Sequence, residues 1–203
     1  MKRLLCILLA LIICVSTLFS LTACSSLPDI EPLKDRFIYL IESSRELNVI
    51  FFGEGLPVYD REGILSDRKG VYSNDLLPAY DTLTEKSPYF TVDSIKERAE
   101  QIFSESYLDL IYESAFDGVV ASGGTYLRFY EYEGKIYQSS SATDFDLSER
   151  FYDYSTMKIV TPSNNEYINV TVMTYTSDNK KPKEITLSFA FERGDWYLDC
   201  PTY

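Results

Sequence analysis

The last third of the chain alternates apolar and polar residues with a period of two, and this pattern limits the possible folds most strongly. One face of segment 183–193 carries Ile185, Leu187, Phe189 and Phe191, whereas polar residues dominate the other face. Such alternation is typical of an antiparallel strand that lies between a core and water. Similar segments at about 154–161 and 166–176 precede it, and Arg193-Gly194-Asp195 turns the chain into a last strand from Trp196. The pattern predicts an antiparallel meander that needs a covering layer.

Two stretches with helical periodicity precede the strands and would supply that layer. Apolar residues recur every three to four positions between about 33 and 50. A second stretch starts at Thr91, a residue type that caps helix N-termini, and ends at Asp117-Gly118, with a break and a second cap within Ser104-Glu105-Ser106. The sequence therefore predicts an α+β fold in which N-terminal helices pack on a strongly curved, four-to-five-stranded antiparallel meander. The expected core contacts join Ile102, Phe103 and Ile111 to Leu187, Phe189, Phe191 and Trp196.

The N-terminus has the features of a secretory leader. Lys2 and Arg3 supply a basic region, and the sequence from Leu4 to Leu21 is almost entirely apolar. Leu21-Thr22-Ala23-Cys24 then matches a bacterial lipobox, in which cleavage before Cys24 leaves a lipid-bearing cysteine. We therefore expect a lipid-anchored protein outside the cytoplasm. The alternative is an uncleaved transmembrane anchor, which the length of the apolar run also permits.

The chain is expected to divide into four segments. Residues 1–23 are the predicted signal peptide, and residues 24–32 form a short polar tether. Residues 33–90 hold the first helix and an irregular, partly ordered insertion with a small hairpin around Val71-Tyr72, because glycine, proline, aspartate and serine are frequent there. Residues 91–203 form an α+β cone-like unit, and we expect this unit and residues 33–90 to make one compact domain.

The residue inventory excludes several kinds of site. The chain has no histidine, which removes Ser-His-Asp and Cys-His catalysis and every zinc site that contains histidine. After cleavage and lipidation at Cys24, Cys200 is the one remaining thiol, so no internal disulfide or cysteine-ligated zinc is expected. The net charge of −12 disfavours nucleic acid. We expect no metal, no cofactor, no nucleic-acid partner and a monomeric protein.

Seventeen tyrosines provide the candidate binding residues. Tyr126, Tyr130 and Tyr132 are predicted to share one strand face with Arg128, and a Glu133-Gly134 turn joins this strand to the next. Tyrosine combines a large apolar area with a hydrogen-bonding tip, so it suits both pockets and protein interfaces. The alternative is that these rings line the core of a small curved sheet.

Several aromatic segments resemble known extracytoplasmic domains. Tyr89 to Ile95, Phe103 to Leu108, Lys135 to Tyr137 and Gly194 to Leu198 are similar to parts of small secreted and lipoprotein domains of Gram-positive, clostridial-type bacteria. The order of helices before a twisted meander resembles the cystatin-like and nuclear-transport-factor-like cone folds. One branch with this order is the inhibitor family of cell-wall D,L-endopeptidases. The resemblance implies a fold, because its motifs are structural.

Three kinds of function are compatible with these observations. The leading one is a membrane-anchored, non-enzymatic module that binds or inhibits a cell-wall-associated protein or polymer. An enzyme would need a tyrosine and a carboxylate as a proton-transfer pair, with Asp144, Asp146 or Asp153 near a pocket mouth. The third is a small-ligand carrier. A calcium loop at Asp144 is not expected, because the sixth and twelfth positions lack the required glycine and glutamate.

Overall fold

The computed structural model describes residues 27–58, 80–121, 124–139, 147, 149–161 and 166–203. The predicted lipidation site Cys24, the hairpin expected around Val71-Tyr72, and both Asp144 and Asp146 lie outside these residues. Within the described ranges, no helix is both long enough and apolar enough to cross a membrane.

The described helices are α1 (Glu31–Phe52), α2 (Val92–Glu100) and α3 (Glu105–Tyr112). Thr91 and Ser94 form a capping box, since each side chain accepts a hydrogen bond from the backbone N–H of the other. The hydroxyl of Ser104 caps α3 by accepting a hydrogen bond from the backbone N–H of Tyr107. A π-helical turn (Glu113–Asp117) follows α3 and ends at Gly118, where φ is 93°. The predicted caps and the predicted end of this helical region are confirmed.

The described strands form three antiparallel sheets, which confirms the mixed α+β class. A three-stranded sheet has the order β1-β5-β4, a two-stranded sheet pairs β2 with β3, and a four-stranded sheet is the meander β6-β7-β8-β9. The strands are β1 (Tyr80–Thr82), β2 (Val119–Ala121), β3 (Gly124–Tyr126), β4 (Phe129–Tyr132), β5 (Lys135–Ser139), β6 (Arg150–Thr161), β7 (Tyr167–Thr176), β8 (Lys183–Glu192) and β9 (Asp195–Leu198).

Both predicted hairpin turns are present, and Asp195, expected in the second turn, begins β9. Glu133 and Gly134 have φ values of 50° and 72°, and Arg193 and Gly194 have values of 52° and 82°. Two consecutive residues with positive φ make the tight turn whose twist matches that of the flanking strands. Glycine at the second position carries no Cβ and adopts this backbone conformation without steric cost.

One buried hydrophobic cluster connects the helices to the meander. The Phe37 ring of α1 stacks on Phe189 of β8 with 3.9 Å between centroids and meets Trp196 edge-on at 5.9 Å. The expected core residues Ile102, Phe103, Ile111, Leu187 and Phe189 all belong to this cluster. Phe103 also forms a parallel bridge with Leu198, which places the end of α2 beside β9.

The prediction for Phe191 is wrong. Its side chain is 43% exposed, although the alternation places it on the same strand face as Phe189. Phe191 is two residues from the Arg193-Gly194 turn, and its ring packs beside that of Trp196 at 5.2 Å. The alternation of apolar and polar residues thus continues to the end of β8, whereas the burial of the apolar side chains ends before Phe191.

Candidate functional site

Arg128 does not lie on a strand face with the three predicted tyrosines. The single strand expected to contain them is two strands: Tyr126 ends β3, Tyr130 and Tyr132 lie in β4, and the chain bends at Arg128 between them. The Arg128 side chain is buried, and its Nε donates to the carbonyl oxygen of Ile50 at 2.7 Å while an Nη donates to that of Gly53. Carbonyls at a helix C-terminus lack partners within the helix, so Arg128 caps α1.

Tyr130 and Tyr132 share one face of β4, as predicted. Their rings are nearly parallel, at 13°, with 6.4 Å between centroids, and Tyr132 is 40% exposed. A groove of about 470 Å³ adjoins the same hairpin. Its lining consists of Leu83, Glu85, Phe90, Gly134, Lys135 and Ile136. This part of the surface therefore offers aromatic contact area and few buried polar side chains that could bind a ligand.

The enzyme hypothesis names three acidic residues near a pocket mouth. Of these, the structure describes Asp153, which is exposed on β6. Its Oδ1 accepts hydrogen bonds from the backbone N–H and the hydroxyl of Ser155, at 3.1 and 2.6 Å. These contacts organise the irregularity of β6 that follows Asp153. The local hydrogen bonding of Asp153 thus has a structural explanation.

Two tyrosine–carboxylate pairs occur in the described part of the chain, and neither uses a residue of the enzyme hypothesis. The Tyr154 hydroxyl donates to Glu42 Oε1, and the Tyr89 hydroxyl donates to Glu46 Oε1 at 3.2 Å. Burial is the main cause that raises the pKa of Tyr154, and the hydrogen bond to Glu42 adds to it. Burial is also the main cause that raises the pKa of Tyr89. Both phenols therefore keep their protons at neutral pH and act as hydrogen-bond donors rather than as bases.

A cleft of about 230 Å³ lies between the C-terminal half of α1, the start of β6 and the end of the described chain. Its lining consists of Arg45, Asn48, Val49, Leu147, Glu149, Arg150, Tyr152, Thr202 and Tyr203.

A chain of hydrogen bonds fixes the orientation of the Asn48 carboxamide in this cleft. The Ser44 hydroxyl donates to the carbonyl of Ile41 at 2.7 Å, so the 2.6 Å contact between Ser44 and Thr202 uses the Thr202 proton. The Thr202 oxygen then accepts from Asn48 Nδ2 at 2.6 Å. Asn48 Oδ1 consequently points away from this chain, and it is buried without a hydrogen-bond partner among the described residues.

Two arginines on opposite sides contribute positive charge to the cleft. Arg45, on α1, forms an ion pair with Glu42, and the distance from Nε to Oε2 is 2.8 Å. That nitrogen lacks hydrogen-bond geometry to any described acceptor, but the short distance still pairs the charges. Arg150, on β6, donates from Nη1 to the hydroxyl of Thr174 at 3.3 Å, and its Nε has no partner within the described ranges.

Tyr152 and Cys200 do not supply a nucleophile or a base near the cleft. The Tyr152 hydroxyl donates to the carbonyl of Thr202 at 2.5 Å, and burial raises its pKa. Burial also raises the pKa of the Cys200 thiol to about 11, so the reactive thiolate is scarce at neutral pH. No group of three or more potential metal-ligating side chains occurs in the described part. The arrangement is suited to holding a polar ligand.

The sequence reasoning missed the cleft, although one signal was available. Ser44 and Asn48 lie four residues apart on the buried side of α1, among its buried apolar residues. Polar residues at buried positions need partners, so two of them at helical spacing indicate a local polar feature. Arg150 lies 102 residues from Asn48, and no periodicity in the sequence connects the two.

Comparison of the chain with protein-family models gives no match, and a search of curated proteins finds no matching relative.

Proposed function

We propose that this protein is a non-enzymatic binding module, anchored by a lipid at Cys24 to the outer face of the cell membrane. The observation that carries the binding role is the cleft, in which a buried donor on Arg150 and a buried acceptor on Asn48 have no partner among the described residues. Buried polar groups are normally satisfied, so such atoms at a concave surface mark a place where a ligand can supply partners.

The chemistry of the described side chains supports binding over catalysis. The chain has no histidine, and burial holds Tyr152 in its protonated form. General acid–base catalysis needs a group whose pKa is close to the working pH. A tyrosine whose pKa is raised does not meet this requirement as a base.

For the finer architecture, we propose the cone-like arrangement in which helices cover the concave face of the meander. The stacking of Phe37 on Phe189 supports this, as does Arg36, which donates to the Trp196 carbonyl at 2.8 Å. The Phe103–Leu198 bridge adds a further link along the same edge. A cystatin-like relationship, and a distant one to inhibitors of cell-wall endopeptidases, are part of this proposal.

The proposed partner is a cell-wall-associated protein or polymer that presents its end to the cleft. A second contact surface is favoured by the Tyr130 and Tyr132 pair, because exposed tyrosines are frequent at the centres of protein interfaces. This surface would bind a protein without using the cleft.

The anchoring part of the proposal is tested by Cys24→Ala. We expect this variant to accumulate as an unprocessed precursor that incorporates no labelled fatty acid, because the modified thiol is absent. Radiolabelled palmitate and gel mobility in intact cells provide the measurement, with Cys200→Ala as the control that should label normally. Unchanged labelling of the Cys24 variant would contradict the lipoprotein assignment.

The binding part is tested by photo-crosslinking in intact cells at two matched positions. Val49 lines the cleft and is 43% exposed, whereas Val160 lies on β6 and is equally exposed at 42%. A photoreactive amino acid at position 49 should give a discrete crosslinked product, and the same residue at position 160 should not. Equal products at both positions, or no product from position 49, would reject the cleft as the binding site.

A further inference from the structure

We propose that the cleft recognises a free carboxylate with a neighbouring N–H group, as found at the carboxyl end of a peptide or in an N-acylated amino acid. This inference rests on the proposed function of the cleft as a binding site and specifies its ligand class.

The first step concerns charge. Among the lining side chains, Arg45 and Arg150 are positive and Glu149, which is exposed, is negative. Glu42 neutralises Arg45, so the guanidinium of Arg150 is the lining cation without an ion pair to a described carboxylate, in a chain whose net charge is −12. An anion is attracted to such an unpaired charge, and a guanidinium binds a carboxylate through two parallel hydrogen bonds.

The second step concerns hydrogen-bonding capacity. The buried side-chain nitrogen and oxygen atoms without a hydrogen-bond partner in the described ranges are Arg45 Nε, Asn48 Oδ1 and Arg150 Nε, and all three belong to residues of the cleft. Arg45 is already paired with Glu42. The donor Arg150 Nε and the acceptor Asn48 Oδ1 therefore remain for a ligand. Both residues line the cleft, so a ligand that enters between their side chains would supply the missing partners.

The third step identifies the ligand groups that match. Arg150 Nε–H needs an acceptor, and a charged acceptor gives the stronger bond. Asn48 Oδ1 needs a donor, because the hydrogen bond to Thr202 commits the amide nitrogen of Asn48 and the oxygen has no partner among the described residues. A carboxylate with an N–H on the adjacent carbon supplies both groups. An ion with acceptor atoms alone would leave Asn48 unsatisfied.

The fourth step concerns size. A cavity of about 230 Å³ is smaller than the roughly 300–1,000 Å³ of sites for drug-sized molecules. Val49, Leu147 and the Tyr152 ring provide apolar wall beside the polar groups. The cleft therefore fits one or two amino-acid residues with a small apolar side chain.

Isothermal titration calorimetry on the full-length chain in detergent tests this ligand class. The probes are N-acetylalanine, N-acetylalaninamide, propionate and inorganic phosphate. We expect N-acetylalanine to bind, and the amide to bind about 10- to 100-fold more weakly because the charge-assisted hydrogen bond is lost. Propionate and phosphate should also bind more weakly, because neither places an N–H beside a carboxylate.

Two cleft variants and one control locate the effect. Arg150→Gln should weaken the binding of N-acetylalanine about 10- to 100-fold, and Asn48→Leu should weaken it by about tenfold. Arg98→Gln removes an arginine that bonds Tyr39 outside the cleft, and it should leave the affinity unchanged. Melting temperatures of all three variants show whether the fold is retained, and Arg150→Lys replaces Arg150→Gln if that variant unfolds.

Several results would overturn the inference. Equal affinity for the acid and the amide would remove the carboxylate from the ligand class, and equal affinity for phosphate would make the cleft a general anion site. If no probe binds, the ligand class is wrong. The crosslink from position 49 then decides separately whether the cleft binds a partner of another kind.

Discussion

Phe37→Ala is expected to lower the free energy of unfolding by about 3–5 kcal/mol, as large-to-small core substitutions of phenylalanine do. The Phe37 side chain is fully buried, and its ring stacks on Phe189 and meets Trp196 edge-on. The substitution leaves a cavity between α1 and the strands β8 and β9, and it removes two favourable aromatic contacts. Urea denaturation followed by the fluorescence of Trp196, the one tryptophan of the chain, measures the change.

Phe90→Ala is the matched control for this effect. The Phe90 side chain is 55% exposed, so its truncation is expected to change the free energy of unfolding by no more than about 0.5 kcal/mol. A loss below about 1 kcal/mol for Phe37→Ala would show that α1 does not share a core with the meander.

Arg128→Met is expected to lower the free energy of unfolding by about 3 kcal/mol, which is nearly as much as Phe37→Ala. The methionine keeps most of the side-chain volume but removes the charged hydrogen bonds to the carbonyls of Ile50 and Gly53. Hydrogen bonds to charged groups contribute about 1.5–3 kcal/mol each, and the buried carbonyls are left without these donors. Thermal and urea unfolding measure the loss.

Two further arginine variants separate capping from the effect of charge. Arg128→Lys should have an intermediate effect, because an ammonium keeps the charge but lacks the planar fork that reaches both carbonyls. Arg98→Met, at a partly exposed arginine that bonds Tyr39, should cost less than about 1 kcal/mol. Equal stability losses for Arg128→Met and Arg98→Met would contradict the role of Arg128 as a cap on α1.

The local features of the fold could be predicted from the sequence, because short-range chemistry determines them. The cap at Thr91 needs a hydroxyl at one position, and the Glu133-Gly134 and Arg193-Gly194 turns need glycine in the second place. Strand alternation similarly located β6 to β9 to within a few residues. Each of these signals spans fewer than about a dozen residues.

The long-range arrangement could not be predicted in the same way. The sequence indicated that the helices from 91 onward would meet Phe189, but the ring that stacks on it is Phe37 of α1. Arg128 was assigned to a strand face, because a charged residue in an alternating segment gives no sign that helix carbonyls lie beside it. The cleft depends on Asn48 and Arg150, which only the tertiary structure brings to one surface.

The most direct test of the cleft as the binding site is an NMR titration of the full-length, isotope-labelled chain with N-acetylalanine. We expect saturable chemical-shift changes that centre on the side-chain amide of Asn48, the guanidinium of Arg150 and the backbone of Thr202. No comparable change is expected at Tyr130 or Tyr132. Shifts confined to those two tyrosines, or no saturable shift at Asn48 and Arg150, would contradict the cleft as the binding site.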